Sequence, residues 1–224
     1  MAQSNKSKID AVRNSLSPAR MGTYDQAANI KDDEDLSALL LYAWNAKVSS
    51  ALLHPLHICE VVIRNAVSDA LEAKYGVRWP WSRAFLQSLP NPPPRVGYNP
   101  QRDLQNTTRR AQTTGKVIPE LKFVFWQKMF TARHDDRIWN KHLNRVFQNL
   151  NRAQKPATHR QRIYKDLDRI RALRNRIAHH EPIFKRDLIS DYSVIHKLIN
   201  SRCQITGTWL DENQIAKDVI ENKP

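Results

Sequence analysis

Ile163, Leu167, Ile170, Leu173 and Ile177 recur at steps of four and three residues, the spacing at which side chains share one face of an α-helix. Similar spacing recurs through the chain, and no stretch alternates apolar with polar residues between turn signals as a half-buried strand would. The pattern predicts an all-α fold. The first thirty residues read as partly irregular, with Ser17-Pro18 as a helix start. The acidic cluster Asp32 to Asp35 suits a helix dipole and opens DLSALLLYAWNAKVSSALLH. Pro55 ends that helix or begins the next, PLHICEVVIRNAVSDALEAKYG, which closes at Gly76.

A short helix near WSRAFLQSL precedes PNPPPRVGYNP, whose prolines make residues 90–100 a loop, read as an ordered excursion within one domain. Further helices are expected over 100–114, from Pro119 (PELKFVFWQKMF), in DDRIWNKHLNRVFQNL, and in HRQRIYKDLDRIRALRNRIAHH, which Pro182 terminates. RDLISDYSVIHKLINSR and DENQIAKDVIEN make two last helices. Residues 34–224 thus read as a single helical domain behind a partly irregular segment, 1–33.

Composition excludes several classes. No apolar run is expected to reach the roughly 18 residues of a membrane helix, and MAQSNKSKIDAVRNS has no signal core, so the chain is expected to be cytoplasmic. Cys59 and Cys203 are too few for a disulfide framework or a thiolate metal site and read as small buried hydrophobes. His54, His57, His134 and His142 lack metal spacing, so neither metal nor cofactor is expected. Trp44, Trp79, Trp126 and Trp139 read as core, whereas Trp81 and Tyr98, beside the Pro-rich loop, are the aromatics better placed to stack on a base.

The net charge of +14 changes the picture because it is concentrated. Residues 101–176 hold 19 Lys or Arg against 6 Asp or Glu, while residues 1–100 hold 11 against 9 and residues 177–224 hold 6 against 7. Such a field draws a polyanion, and with no apolar-faced basic helix for a membrane surface, nucleic acid is the expected partner. Arg109, Arg110, Arg169, Arg171 and Arg176 are its candidate contacts.

That stretch runs into Arg174, Asn175, Arg176, His179, His180 and Glu181, groups able to hold phosphate, move protons and accept hydrogen bonds. On a helical projection of about 100° per residue Arg174 falls between Ile163 and Leu167, inside the apolar stripe. A plainer reading is open for the same residues: the two histidines cap a helix C-terminus, and Arg174 is a core arginine tied to a buried glutamate.

Arg174-Asn175-Arg176-Ile177-Ala178-His179 resembles the HEPN-domain motif, an arginine and a polar residue followed by histidine. The chain as a whole resembles the Abi-like proteins of bacterial abortive-infection systems, through LSPARMGTYDQAA, LYAWN, HPLHICEVVIRNAV, FWQKMF with the Trp139 helix, and LRNRIAHHEPIF, across roughly residues 16–185. The resemblance implies a HEPN-like helical bundle with additional helices that dimerises. It also implies metal-independent endoribonuclease activity, in which a 2′-hydroxyl attacks the adjacent phosphate, within a toxin-like defence against phage. An RNA or protein antitoxin would restrain it. His179, as an imidazole of ordinary pKa about 6.5, would be general acid or base, with His180 its rival; Arg174 would clamp the phosphate, and Asn175 would orient the histidine or the scissile group. The alternative is a non-catalytic RNA-binding module. Ideal helix turns His179 by about 140° from Arg174, so either the helix breaks before Pro182 or Arg174 serves a facing subunit. Glu60, Arg64 and Asn65 form a supporting constellation: Glu60 and Arg64 make an i,i+4 pair, or Glu60 reaches across the bundle to Arg174.

Overall fold

The computed structural model describes residues 5–224 except Asp33, so residues 1–4 and one member of the expected acidic cluster lie outside it. The described residues form twelve α-helices and no strand. The first two are α1 (Asn5–Leu16) and α2 (Pro18–Ala28). The N-terminal segment is therefore helical rather than partly irregular. Ser17 caps α2 by accepting the Arg20 N–H, and Met21 and Tyr24 of α2 are fully buried against the next helix. Sparse apolar residues hid this segment, because its stability comes from packing on a neighbour rather than from a stripe of its own.

That neighbour, α3 (Ser37–Tyr75), is one helix of 39 residues and the spine of the fold. It opens with the Asp35 carboxylate accepting the Ser37 N–H at 2.8 Å, and Gly76 ends it at φ 83. Pro55 neither ends nor starts a helix but lies buried inside this one. Leu41, Trp44, Val48, Leu52, Leu56, Cys59, Ile63, Val67 and Ala70 stay in phase across the proline, so burial on both sides offsets the roughly 3 kcal/mol an interior proline costs. One 18-residue window of α3 reaches a mean hydropathy of 1.2, long and apolar enough to cross a membrane, against the expectation that no run would be. In the fold 39% of that window is buried, through the face that forms the core.

Next come α4 (Arg83–Ser88), the Pro-rich loop, α5 (Pro100–Thr108), α6 (Thr114–Glu120) and α7 (Phe123–Lys128). The helix expected over 100–114 stops at Thr108, and Pro119 lies near the end of α6 instead of opening the following helix. A single π-turn over Asp135–Trp139 leads into α8 (Asn140–Val146). Trp44, Trp79, Trp126 and Trp139 are core residues; the Trp139 ring stacks on Phe130 at 4.5 Å and its Nε1 donates to the Met129 carbonyl.

The basic helix α9 (Pro156–Ala178) buries Ile163, Leu167, Ile170, Leu173 and Ile177 as the period requires, each worth about 1.5–3 kcal/mol when fully buried. After it come α10 (Leu188–Arg202), α11 (Gln204–Asn213) and α12 (Ala216–Glu221). The last segment was expected as one helix, 211–222; α11 starts earlier and a break at Gln214 and Ile215 separates it from α12. Cys59 is fully buried, but Cys203, at the start of α11, is only half-buried, and its thiol pKa is lowered chiefly by the Thr206 hydroxyl.

Candidate functional site

The helix α9 stays regular through Ala178 and then ends in a backbone cap. His179 occupies the half-helical cap position, and His180 adopts the left-handed conformation (φ 55) usually left to glycine. The His180 N–H donates to the Ile177 carbonyl at 3.0 Å and the Glu181 N–H to the Arg176 carbonyl at 2.8 Å, the paired bonds of a Schellman motif. These main-chain bonds satisfy the end of the helix without either imidazole.

Three side chains then hold the outgoing segment. Arg20 of α2 donates to the His180 carbonyl. Arg176 forks onto the Pro182 carbonyl at 2.9 and 3.1 Å, with Glu181 beside it at 3.4 Å. Asn45 of α3, itself buried, accepts the Ile183 N–H at 2.8 Å. Ile183 and Phe184 sink into the core, so the histidines stand on an anchored turn. Beside it lies an open cleft of about 280 Å³, lined by Tyr24, Tyr42, Ser49, Ile177 and His180; burial pushes the Tyr24 hydroxyl up to about 12. Sequence reading missed Arg20 and Asn45 as anchors. The only signal was their place in LSPARMGTYDQAA and LYAWN, segments that carry the resemblance.

Among the described residues, the side chains of Arg174, Asn175, His179 and His180 make no hydrogen bond or ion pair, and Arg174, His179 and His180 are exposed. Arg174 is thus not a core arginine. The apolar stripe winds around α9, and by Leu173 and Ile177 it has turned away from the projection that Arg174 shares with Ile163 and Leu167. Glu60 does not reach Arg174 either: it pairs with Arg64 one turn along α3, and Asn65 is exposed. The reason is register. α3 runs against α9 with Asn45 at Ile183 and Cys59 close enough to feel the charge of Asp166, which sets Glu60 level with the middle of α9 rather than its end.

α9 does end before Pro182, at Ala178, but it is helical up to the cap residue His179, and ideal helix geometry over that run sets Arg174 and His179 about 140° apart. The row that His179 belongs to is Tyr164, Asp168, Arg171, Asn175, at steps of three and four residues. On that geometry Arg171, Asn175 and His179 share one face of α9, and Arg174 lies on another. Arg171 bonds Asp168 at 3.0 Å. Arg169, expected on RNA, is engaged with buried Asp191, and Arg176 with Pro182. Arg109 and Arg110 are exposed past the end of α5, with Arg110 on an open cleft of about 670 Å³ that also carries Lys116 and Lys122. No group of three or more His, Cys, Asp or Glu side chains that could hold a metal occurs among the described residues. No family model, curated protein or solved structure matches this chain.

Proposed function

We infer that the chain is a metal-independent endoribonuclease of the HEPN-like kind, acting in the cytoplasm as a toxin-like defence effector under the control of an antitoxin. The observation that carries this reading is the state of one helix end. Arg174, Asn175, His179 and His180 have no partner among the described residues, on a turn held by Arg20, Arg176 and Asn45. A plain capping role for the histidines has no use there, since backbone bonds already close the helix.

In the reaction, His179 removes the proton from a 2′-hydroxyl, whose oxygen attacks the adjacent phosphorus. The bond to the 5′-oxygen breaks, that oxygen takes a proton from a second imidazole, and the products carry a 2′,3′-cyclic phosphate and a 5′-hydroxyl. Arginine stabilises the charge that builds on the phosphoryl oxygens. Since Arg174 and His179 diverge within one chain, the site is composite: Arg174 of one protomer faces His179 of the other across a two-fold axis. The same divergence favours the alternative, a non-catalytic RNA-binding module, if the chain works alone.

The test is incubation of purified protein with cellular RNA in EDTA. Fragments ending in 2′,3′-cyclic phosphate from the wild type, and none from Arg174→Ala/His179→Ala, support the nuclease; intact, bound RNA supports the module. Co-expressing the Arg174→Ala and His179→Ala single variants sharpens it. A composite site regains one working copy in the mixed dimer, whereas a site within one chain stays dead.

A further inference from the structure

His134 stands at the start of the π-turn, with 1% of its surface exposed. Neither of its ring nitrogens has a hydrogen-bond partner among the described residues, and Nδ1 is wholly enclosed. Buried polar groups in folded proteins almost always find partners, so the enclosed, unpartnered Nδ1 is a feature to be explained. Burial, reinforced by Arg133 and Arg137, lowers its pKa to about 4, so at neutral pH the ring offers one N–H donor and one lone pair. π-turns recur at functional sites for a structural reason: the extra residue widens one turn and re-aims its side chains.

The ring borders a half-open cavity of about 310 Å³ behind the Pro-rich loop. Its walls include Pro90 and Tyr98, flat half-buried surfaces suited to the face of a planar ring, with buried Pro100 and Phe125 behind them, and Tyr98 is steadied by donating its hydroxyl to Asp103 at 2.5 Å. Lys128 and Arg133 also line it, and Arg133 is exposed with no partner among the described residues. A purely apolar ligand would leave the imidazole and Arg133 unanswered, and an anion has no charged donor deep inside. What fits is a heteroaromatic ring with hydrogen-bonding edges, joined to a phosphate that stays at the cations. At about 310 Å³ the space lies at the small end of ligand pockets, enough for one such group.

Position ties the cavity to the site. Lys128 donates to the Tyr164 hydroxyl at 3.0 Å and Gln127 to Asp168 at 2.8 Å, which fixes this wall against the row of α9 that continues through Arg171 and Asn175 to His179. Tyr164 and His179 are about 22 Å apart along that row.

We propose that this cavity binds a single unstacked nucleotide, its base against Tyr98 and Pro90 with the Nε2 side of His134 at its edge and its phosphate on Arg133 and Lys128. It does so for a residue of an RNA strand running along α9 to the candidate site. The strand rests on the nuclease reading; the pocket's chemistry does not, since a free nucleotide presents the same groups.

The test is titration of the full chain with adenosine and uridine 3′-monophosphates and with a single-stranded 2′-O-methyl RNA that cannot be cleaved. Wild type is compared with Arg133→Ala, which removes an exposed side chain that makes no hydrogen bond or ion pair among the described residues, and with Thr131→Phe, which fills the cavity. Both variants weaken nucleotide and strand binding by roughly tenfold or more, while thermal unfolding of Arg133→Ala stays unchanged. The pocket is overturned if neither ligand binds the wild type, or if both variants bind as wild type does. Nucleotide binding that the variants weaken, beside a strand they leave unaffected, keeps the pocket as a free-nucleotide site and removes the RNA path. Cleavage in EDTA, scored separately, decides the nuclease reading: wild-type cleavage with unaltered binding by the variants sinks the pocket alone.

Discussion

The two ends of α9 hold similar residues in opposite states. Along its first two thirds the arginines are engaged: Arg160 bonds Asp135 at 2.9 and 3.0 Å, Arg162 approaches Asp166, Arg169 holds Asp191, and Arg171 holds Asp168. Within the last turn and the cap, Arg174, His179 and His180 stand exposed and unpartnered among the described residues, with only Arg176 tied to the backbone. Charge density along a sequence therefore overstates the charge offered to a polyanion. Arg160 and Arg169 answer carboxylates on neighbouring elements, Arg162 and Arg171 answer carboxylates of α9 itself, and the groups without a partner among the described residues gather at the end.

The sharpest way to break this contrast is to remove a carboxylate from the engaged end. Asp191 is 2% exposed and bonded by both Arg169 and Arg186, so Asp191→Ala leaves two partly buried guanidinium groups without their anion. A loss of about 3–5 kcal/mol in urea-unfolding stability is expected. A much smaller loss would mean that solvent satisfies these arginines, and the contrast between the ends would fall with it.

Acid probes the buried histidine next. With its pKa at about 4 in the fold and near 6.5 when unfolded, His134 is bound by more protons in the unfolded chain between those values. Its contribution is fully present above pH 6.5 and is lost as pH falls toward 4, by about 3 kcal/mol in total. His134→Asn should flatten that part of the stability-against-pH curve; an unchanged slope would place the titration elsewhere.

Smallest are the effects within the last turn of α9. Arg176→Ala removes two bonds to the Pro182 carbonyl and should cost about 1.5 kcal/mol, while Arg174→Ala should change stability by less than about 0.5 kcal/mol. Equal costs by thermal unfolding would contradict the division between a structural and a free arginine two residues apart.

Much of this was legible before folding. The period of Ile163 to Ile177 placed α9 and its buried face, the four tryptophans declared themselves as core, and the density of Arg, Asn and His at residues 174–180 marked the region of interest. What misled the reading was local grammar applied where tertiary packing decides. Pro55 looked like a boundary, yet the apolar phase on both sides of it holds one helix together. The segment 1–33 looked irregular, yet Met21 and Tyr24 find a surface on α3. Arg174 looked buried on a straight projection, but the stripe winds away from it, and Glu60 is out of register because the two helices run in opposite directions.

By itself, then, the sequence determined the all-helical class, the buried face of α9 and the chemical types gathered at its end, since these depend on periodicity and composition within a few turns of chain. Only the tertiary structure decided which cations have no partner among the described residues, which side chains anchor the turn at His180, and that the buried Nδ1 of His134 has none among them. Those facts depend on which groups meet across residues as far apart as Asn45 and Ile183, and no local pattern encodes the meeting.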